Sequence, residues 1–183
     1  MSRIPTPANI EAAPAAAQPL LHAVKKQLGI VPNLFRLVST SPAALEGYLG
    51  LNGALAKGAL GAADRERIAL AVAQVNSCGY CLAAHTYIGK NVAKLSEAEI
   101  AAGRSGHSAD ARSDAAVAFA VKVATQRGAV GEADLAAVRA AGFSDAQLVE
   151  IVAHVALNVL TNYVNEVFKT EIDFPDVPVR LAA

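Results

Sequence analysis

Four residues near the middle of the chain have the types and spacing that thiol redox chemistry requires. The only two cysteines, Cys78 and Cys81, form a Cys-x-x-Cys pair, and His85 follows the second cysteine by four residues. On a helix that separation places the imidazole one turn from Cys81 on the same face. Glu66 lies twelve residues before Cys78, on what we predict to be the preceding helix. Together they supply a nucleophile, a resolving thiol, a base and a group that orients the base.

The predicted helix start around the cysteines favours their ionised form. A break near Asn76-Ser77 ends one predicted helix, so that Cys78 lies at or just before the start of the next and Cys81 lies in its first turn. Free backbone amides and the positive end of the helix dipole stabilise a thiolate there. His85 is the i+4 neighbour of Cys81, whereas it lies about two turns from Cys78. We therefore predict that Cys81 is the attacking thiol.

These roles predict a thiol peroxidase cycle. Cys81 loses its proton to His85 and attacks a peroxide oxygen, which gives a sulfenic acid. Cys78 condenses with it to form a disulfide and expel water, while Glu66 accepts the relayed proton or holds the imidazole. An external dithiol, which the sequence does not identify, then reduces the disulfide by exchange. Because the thiols are themselves the redox group, we expect no cofactor and no metal ion. A narrow pocket among alanine-rich helices suits hydrogen peroxide or a small organic hydroperoxide.

Other interpretations of the two cysteines stay open at the level of sequence. A Cys-x-x-Cys pair can supply two of the four ligands of a zinc site. The chain has no second such pair, however, and His85 would be only a third ligand. Buried cysteines can also be inert core residues. The dithiol can serve a non-enzymatic redox sensor or an oligomeric scaffold, and a lyase or decarboxylase acting on a carbonyl substrate is a further alternative.

The composition describes a folded and unusually apolar chain. It has 183 residues, of which 54% are apolar and 17% charged, and its formal net charge is zero. That length suffices for one domain with a substantial core, and the apolar excess favours self-association. The neutral charge, with no basic patch among aromatic residues, argues against nucleic acid. No apolar run is long enough for a membrane span and no export signal is recognisable, so we expect a cytoplasmic redox pair.

The pattern from Gln18 onward is helical almost throughout. Alanine is abundant, β-branched alternation is absent, and Gly or Pro interrupts the pattern at intervals. Ser41 before a proline, and capping-box sequences that begin at Ser96 and Ser144, mark helix starts. The predicted helices cover residues 18–29, 33–39, 42–58, 62–76, 79–93, 97–103, 109–127, 132–141 and 145–168.

These helices predict an all-α fold of packed helices. We predict one domain over residues 18–183, after an extended arm over residues 1–17 that is rich in Pro and Ala. A weak internal echo links residues 71–75 with residues 151–155, eighty positions later. At that offset the two cysteines and His85 correspond to Asn158, Thr161 and Asn165. A degenerate internal repeat would therefore have kept its chemistry only in the first half.

The spacing around the cysteines resembles a known family motif. Glu66, eleven residues, Cys78-x-x-Cys81, three residues and His85 resemble the core motif of the alkyl hydroperoxidase D (AhpD) family. That family belongs to the wider carboxymuconolactone decarboxylase-like superfamily. The flanking residues 67–76 also resemble this core.

The resemblance continues outside the core. Residues 31–36, residues 162–165 and the sequence Asp173-Phe174-Pro175 resemble the longer branch of peroxidase-related proteins. The resemblance implies a helical AhpD-like fold that assembles as trimers or hexamers, with thiol-dependent peroxidase or disulfide reductase activity. The decarboxylase branch lacks the Cys-x-x-Cys pair, which argues against a lyase activity here.

The resemblance also implies a role for each motif residue. Cys81 forms the sulfenic acid, Cys78 is the proton donor and resolving thiol, and Glu66 and His85 form the proton relay. This chain departs from the family pattern at Tyr80, because the best-studied members have a second histidine between the cysteines. A phenol is not a base at neutral pH, although it can donate a hydrogen bond.

Three polar residues of the last predicted helix lie outside this motif. His154, on an apolar helix, is typical of a satisfied core histidine. Asn162 and Asn165 either line a cavity or lie at the surface, and the sequence leaves both interpretations open.

Overall fold

The computed structural model describes residues 2–179 of the protein, and over this range the chain is all-helical. The predicted all-α fold is confirmed, and each predicted helix is present with its ends within three residues. The predicted arm and domain both extend beyond the described residues, to Met1 and to residues 180–183. The elements are a short 3₁₀ helix (Ala15–Ala17), α1 (Gln18–Leu28), α2 (Asn33–Val38), α3 (Pro42–Leu55), α4 (Ala62–Val75), α5 (Gly79–Asn91), α6 (Glu97–Arg104), α7 (Ala111–Thr125), α8 (Glu132–Ala140) and α9 (Asp145–Phe168).

Side-chain caps explain where several helices begin. The side chains of Ser41, Ser96 and Ser144 each accept a hydrogen bond from the backbone amide three residues later. The predicted start of α7 at residue 109 is two residues early. Asp110 is the N-cap, since its Oδ1 accepts from the amide of Ser113 at 2.8 Å, and the helix begins only after it.

Helix α4 lies at the centre of the molecule. It packs against α5, α6, α7 and α9, and all six residues of the stretch 68–73 are buried. Its apolar side chains Ile68 and Val72 join a core cluster with Phe119 of α7 and Ile151 of α9. Because α4 is surrounded, its first turn and its last turn are held in fixed positions relative to the rest of the fold.

The amino-terminal residues 2–14 lie against the first helices. Ile10 and Ala13 are buried in a cluster with Leu21 of α1 and Leu45 of α3. Arg36 of α2 donates hydrogen bonds to two backbone carbonyls of this segment. The division of the chain into an arm and a domain stays a prediction.

The residues that follow α9 return to the start of α5. We call residues 170–179 the C-terminal segment. Phe174 and Val177 of this segment pack against the cluster that contains both cysteines. Arg104 of α6 donates a hydrogen bond to the carbonyl of Pro178, which holds the far end of the segment. The segment therefore covers the turn between α4 and α5.

The internal echo in the sequence links α4 with α9. The positions that correspond to Cys78, Cys81 and His85 at that offset all lie within the uninterrupted helix α9. The helix break that separates α4 from α5 is therefore not repeated in α9.

The length and hydropathy of the helices bear on whether the described residues can span a membrane. No single helix there is long and apolar enough to cross a membrane. By length and composition only, α8 and α9 together meet that criterion as a pair bent by 116°.

Candidate active site

A tight turn between α4 and α5 brings the two cysteines together. Ser77 has a φ of +54° and ends α4 in the left-handed conformation. The amide of Ser77 donates to the carbonyl of Gln74, and the amide of Cys78 donates to the carbonyl of Ala73 at 2.9 Å. These two hydrogen bonds form a Schellman motif, which satisfies the last carbonyls of α4. Cys78 is thus both the last residue of that motif and the N-cap of α5.

The cysteines form a disulfide within the first turn of α5. Cys78 and Cys81 are bonded to each other, and the Cys78 Sγ also accepts a hydrogen bond from the amide of Cys81 at 3.3 Å. Both residues are buried, Cys78 completely and Cys81 with 3% of its surface exposed. The structure therefore shows the pair in its oxidised state, and its location at a helix start agrees with the predicted position.

His85 and Glu66 meet although they lie on different helices. Helix α5 runs back along α4, so its second turn reaches the first turns of α4. The Nδ1 atom of His85 lies 2.9 Å from Oε2 of Glu66, and their side chains are 22% and 16% exposed. With Nδ1–H donating to the carboxylate, Nε2 is the ring nitrogen that can accept a proton. Since His85 also lies one turn after Cys81, all four predicted site residues belong to one helical hairpin.

Asn165 of α9 contacts the attacking sulfur of the predicted cycle. Its Nδ2 donates a hydrogen bond to Sγ of Cys81 at 3.2 Å, and the residue is 2% exposed. The sequence pattern leaves the location of Asn165 open between a cavity and the surface. One signal pointed to it, since Asn158, Asn162 and Asn165 follow a helical spacing that places them on one face of an apolar helix.

Asn162 fixes the turn that carries the cysteines. Its Oδ1 accepts a hydrogen bond from Nδ2 of Asn76 at 2.8 Å, and Asn162 is completely buried. Because Asn76 is the C-cap of α4, this contact ties the end of α4 to α9. It therefore sets the position of the cysteine turn relative to Asn165.

Tyr80 is a structural anchor between the cysteines. Its hydroxyl donates to Oδ1 of Asp173 at 2.8 Å and accepts from the amide of Leu34 at 3.1 Å. Burial, with a further contribution from the carboxylate of Asp173, raises the pKa of Tyr80 far above its usual value. The phenol therefore stays protonated and is not a base. The second carboxylate oxygen of Asp173 accepts from the amide of Asn33 at 2.7 Å.

A small apolar cavity of about 270 Å³ lies beside this site. Two of its lining residues, Val38 and Val164, also pack against the cluster that contains both cysteines. Burial, and to a smaller extent the negative charge of Glu66, raises the pKa of Tyr48 to about 12. Tyr48 thus belongs both to the cavity and to the surroundings of Glu66. The cavity is lined by Val38, Ala43, Ala44, Gly47, Tyr48, Leu160, Thr161 and Val164.

His154 lies on the buried face of α9, as expected of a core histidine, but its ring, contrary to the prediction, is not fully satisfied. It is 5% exposed, and its Nε2 has no hydrogen-bond partner. Burial first, and then the positive charge of Arg65, lowers the pKa of His154. The ring is therefore neutral near pH 7.

A zinc site would require a cluster of ligating side chains around the two cysteines. Within residues 2–179, no group of three or more His, Cys, Asp or Glu side chains has a geometry that could hold a metal ion.

Comparison with known proteins places this site in a family context. The model of the carboxymuconolactone decarboxylase family matches residues 42–126, which include all four predicted site residues. A comparison with curated proteins finds no match.

Solved structures resemble the protein over most of its length. One is the alkylhydroperoxidase AhpD core, an uncharacterized peroxidase-related protein from Ralstonia eutropha JMP134. It is 28% identical, with a TM-score of 0.84 over 94% of this chain and 92% of that one. An uncharacterized peroxidase-related protein from Silicibacter sp. TM1040 is 23% identical, with a TM-score of 0.78 over 91% of each chain. A variant of the debrominase Bmp8, in complex with 2,3,4-tribromopyrrole, is 19% identical, with a TM-score of 0.78 over 94% of each chain.

The fold and the site together define a helical dithiol protein with a carboxylate–histidine pair. The family model over residues 42–126 and the 28% identical AhpD core structure support an AhpD-like, carboxymuconolactone decarboxylase-like assignment, in agreement with the resemblance seen in the sequence. At the level of the family, the similarity supports a peroxidase-like or related enzyme. The two less similar structures support the fold alone.

Proposed function

We propose that the protein is a thiol-dependent peroxidase, with disulfide reductase chemistry in its second half-reaction. The observation that carries the proposal is the Cys78–Cys81 disulfide at a helix start, one turn from an imidazole that is paired with Glu66. The substrates are hydrogen peroxide or small organic hydroperoxides, and the reductant is an external dithiol. The apolar cavity of about 270 Å³ supports substrates of this size.

Each proposed step balances in atoms and electrons. His85 takes the proton of the Cys81 thiol, and the thiolate attacks one oxygen of ROOH while the O–O bond breaks. The departing RO⁻ receives the proton from His85 and leaves as ROH, so that Cys81 becomes a sulfenic acid. The Cys78 thiolate then attacks the Cys81 sulfur, and hydroxide leaves with the Cys78 proton as water. An external dithiol supplies two electrons and two protons, which restores both thiols.

Three observations support Cys81 as the attacking residue. His85 is its neighbour one turn along α5, and Asn165 donates a hydrogen bond to its sulfur. Cys81 is also slightly exposed, whereas Cys78 is completely buried. The amide hydrogen bond to Cys78 stabilises that sulfur as a thiolate, which suits the resolving step.

Thiol counting after a single addition of peroxide tests the proposal directly. One equivalent of peroxide should consume both thiols of the reduced wild-type protein. Cys81→Ser should abolish turnover, and Cys78→Ser should stop at a sulfenic acid that a sulfenic-acid trap captures. His85→Gln should slow oxidation by about 100-fold, in line with the loss of a general base.

The same experiment separates the alternatives. Two free thiols after stoichiometric peroxide would overturn the proposal. A redox sensor would be oxidised once but would not turn over with a dithiol donor present. A lyase acting on a carbonyl substrate would keep its activity with both cysteines replaced by serine.

The proposal includes self-association and a cytoplasmic location. An apolar stripe runs along the exposed face of α9, and we propose that a second copy of this chain covers it in a trimer or hexamer. A cytoplasmic location would give the disulfide access to reducing dithiols. We propose neither a nucleic-acid nor a membrane partner. The stripe consists of Val149, Val152, Ala156, Leu160, Tyr163 and Val167.

A further inference from the structure

The buried face of α9 is polar where a core helix is normally apolar. Five polar residues lie there, namely His154, Asn158, Thr161, Asn162 and Asn165. A buried polar group destabilises the fold unless it finds a hydrogen-bond partner. Two of these residues find partners within α9 itself. Nδ2 of Asn158 donates to the carbonyl of His154, and the Thr161 hydroxyl donates to the carbonyl of Asn158.

Asn162 and Asn165 both bond outside their own helix, and Asn165 is the one that contacts a cysteine sulfur. Its Nδ2 donates to the sulfur of Cys81 on α5 at 3.2 Å. Its Oδ1 is buried and has no hydrogen-bond partner. The residue is 2% exposed, so bulk water does not satisfy that oxygen. A buried acceptor beside a reactive sulfur points to a ligand that brings its own O–H donor.

We propose that Asn165 is a further catalytic residue, whose Nδ2 holds the Cys81 thiolate while its Oδ1 accepts the O–H of the incoming hydroperoxide. This assignment rests on the proposed peroxidase function and names how that site recognises its substrate. One planar amide then places the nucleophile and the oxygen that it attacks side by side, which is the geometry that lowers the barrier to attack. A substrate that has no hydrogen on the attacked atom cannot donate a hydrogen bond to Oδ1 and is not stabilised by it.

The proposed contact persists through the oxidation step. The Cys81 thiolate attacks the oxygen that carries the hydrogen, the O–O bond breaks, and RO⁻ takes up the proton that His85 holds. The new sulfenic acid keeps the O–H of the substrate, so its hydrogen bond to Oδ1 remains. Attack by Cys78 then releases that oxygen as water.

Asn165→Leu removes both hydrogen bonds and keeps the branched shape and the number of side-chain heavy atoms, and Asn158→Leu is the matched control. Asn158 lies on the same buried face, but its side chain bonds only to its own helix. We expect Asn165→Leu to slow peroxide oxidation by about 10- to 100-fold, the loss expected for a hydrogen bond to a charged group. In a Cys78→Ser background, it should also shift the thiolate titration of Cys81 to higher pH. Asn158→Leu should change the rate of peroxide oxidation by no more than about twofold and should leave the thiolate titration of Cys81 where it is.

Alkylation separates the two hydrogen bonds of Asn165. At a pH where Cys81 is fully ionised, iodoacetamide should react equally fast with wild type and Asn165→Leu, because this reagent is attacked at carbon and has no O–H there. Peroxide should still react more slowly with the variant. Asn165→Asp provides a second variant of the same shape if the leucine variant does not fold. It keeps an acceptor but loses the donor, so it too should shift the thiolate titration to higher pH.

The outcomes distinguish this assignment from the proposed function. A wild-type protein that does not react with peroxide overturns the proposed function and this assignment together. A reactive wild type, with Asn165→Leu as fast as Asn158→Leu, overturns only the assignment. An unchanged thiolate titration in both Asn165 variants would show that Nδ2 does not support the Cys81 thiolate, which also overturns it.

Discussion

At the scale of single residues, the site depends on which atom of each side chain is already engaged. Glu66 occupies Nδ1 of His85, so proton transfer must use Nε2. Asp173 and Leu34 engage the Tyr80 hydroxyl, so this phenol is committed to structure. Asn165 is engaged through its nitrogen and leaves its oxygen free of protein partners. Each of these commitments restricts a chemically versatile side chain to one role.

His154 predicts how stability responds to acid. Its folded-state pKa lies below the ordinary value of 6.5 because the ring is buried. The neutral ring is favoured in the fold, so stability is fully present above pH 6.5 and falls as the pH drops through the folded-state pKa. Its titration depends on Arg65, Glu150 and Glu66, which are the charged groups that act on it.

Chemical denaturation measured across this pH range checks the prediction. We expect the free energy of unfolding of the wild type to fall more steeply below pH 6.5 than that of His154→Gln. The exposed His107, whose side chain is 69% accessible, offers a control in His107→Gln. Curves for wild type and His154→Gln that run parallel would contradict the role of burial at His154.

At the scale of elements, the C-terminal segment covers the disulfide. Phe174 and Val177 pack against the cysteine cluster, and the Tyr80 hydroxyl binds Asp173 of the same segment. Gly79 contributes to this close approach, since a Cβ there would lie 3.3 Å from the side chain of Val179. Because Cys78 is completely buried, a reductant that attacks the Cys78 sulfur requires the segment to move.

Tyr80→Phe should loosen this cover. The change removes a hydroxyl that makes two hydrogen bonds and leaves the buried amide of Leu34 without its partner. We expect a small dithiol to reduce the Cys78–Cys81 disulfide about 5- to 10-fold faster, because the loss of such contacts raises the population of open states. Stopped-flow or thiol-release measurements report the rate directly.

The exposed Tyr163 provides the matched control. Tyr163 is 58% exposed, so Tyr163→Phe removes a hydroxyl without uncovering the disulfide. Equal reduction rates for Tyr80→Phe and Tyr163→Phe would show that the hydroxyl of Tyr80 does not hold the segment closed.

At the scale of the whole molecule, the exposed apolar surface concentrates on α9. Val149, Val152 and Val167 are 69%, 45% and 54% exposed, and they follow a helical spacing along this 24-residue helix. A contiguous exposed apolar stripe of this kind is typical of an interaction surface. The opposite face of α9 carries Asn165, so an assembly built on this stripe would also fix the helix that supports Cys81.

Val152→Asp should therefore weaken the proposed assembly. A charge in the middle of the stripe must be desolvated when a second copy covers it, which disfavours association. We expect light scattering to show three or six chains for the wild type and a smaller particle for Val152→Asp. The conservative change Val152→Ile should leave the assembly intact. A wild-type particle of one 18.8 kDa chain would refute the proposal of self-association.

Local sequence alone predicted the helices and the hairpin that carries the four motif residues. Caps such as Ser96 and Ser144 act within three residues of themselves, and the turn at Ser77 satisfies the carbonyls of the helix just before it. Glu66 and His85 are 19 residues apart, so two adjacent helices suffice to bring them together. Interactions of this range depend on the helical repeat and on backbone hydrogen bonds, both of which can be predicted from a short stretch of sequence.

Tertiary packing decided what surrounds the sulfurs. Asn165 lies 84 residues from Cys81, and Asp173 lies 93 residues from Tyr80. The periodicity of α9 indicates which of its faces is buried. It does not indicate which helix that face contacts, because the approach of two distant helices depends on how all their side chains fit. The hydrogen bond to Cys81, the unpartnered oxygen beside it and the cover over Cys78 therefore became visible only in the folded molecule.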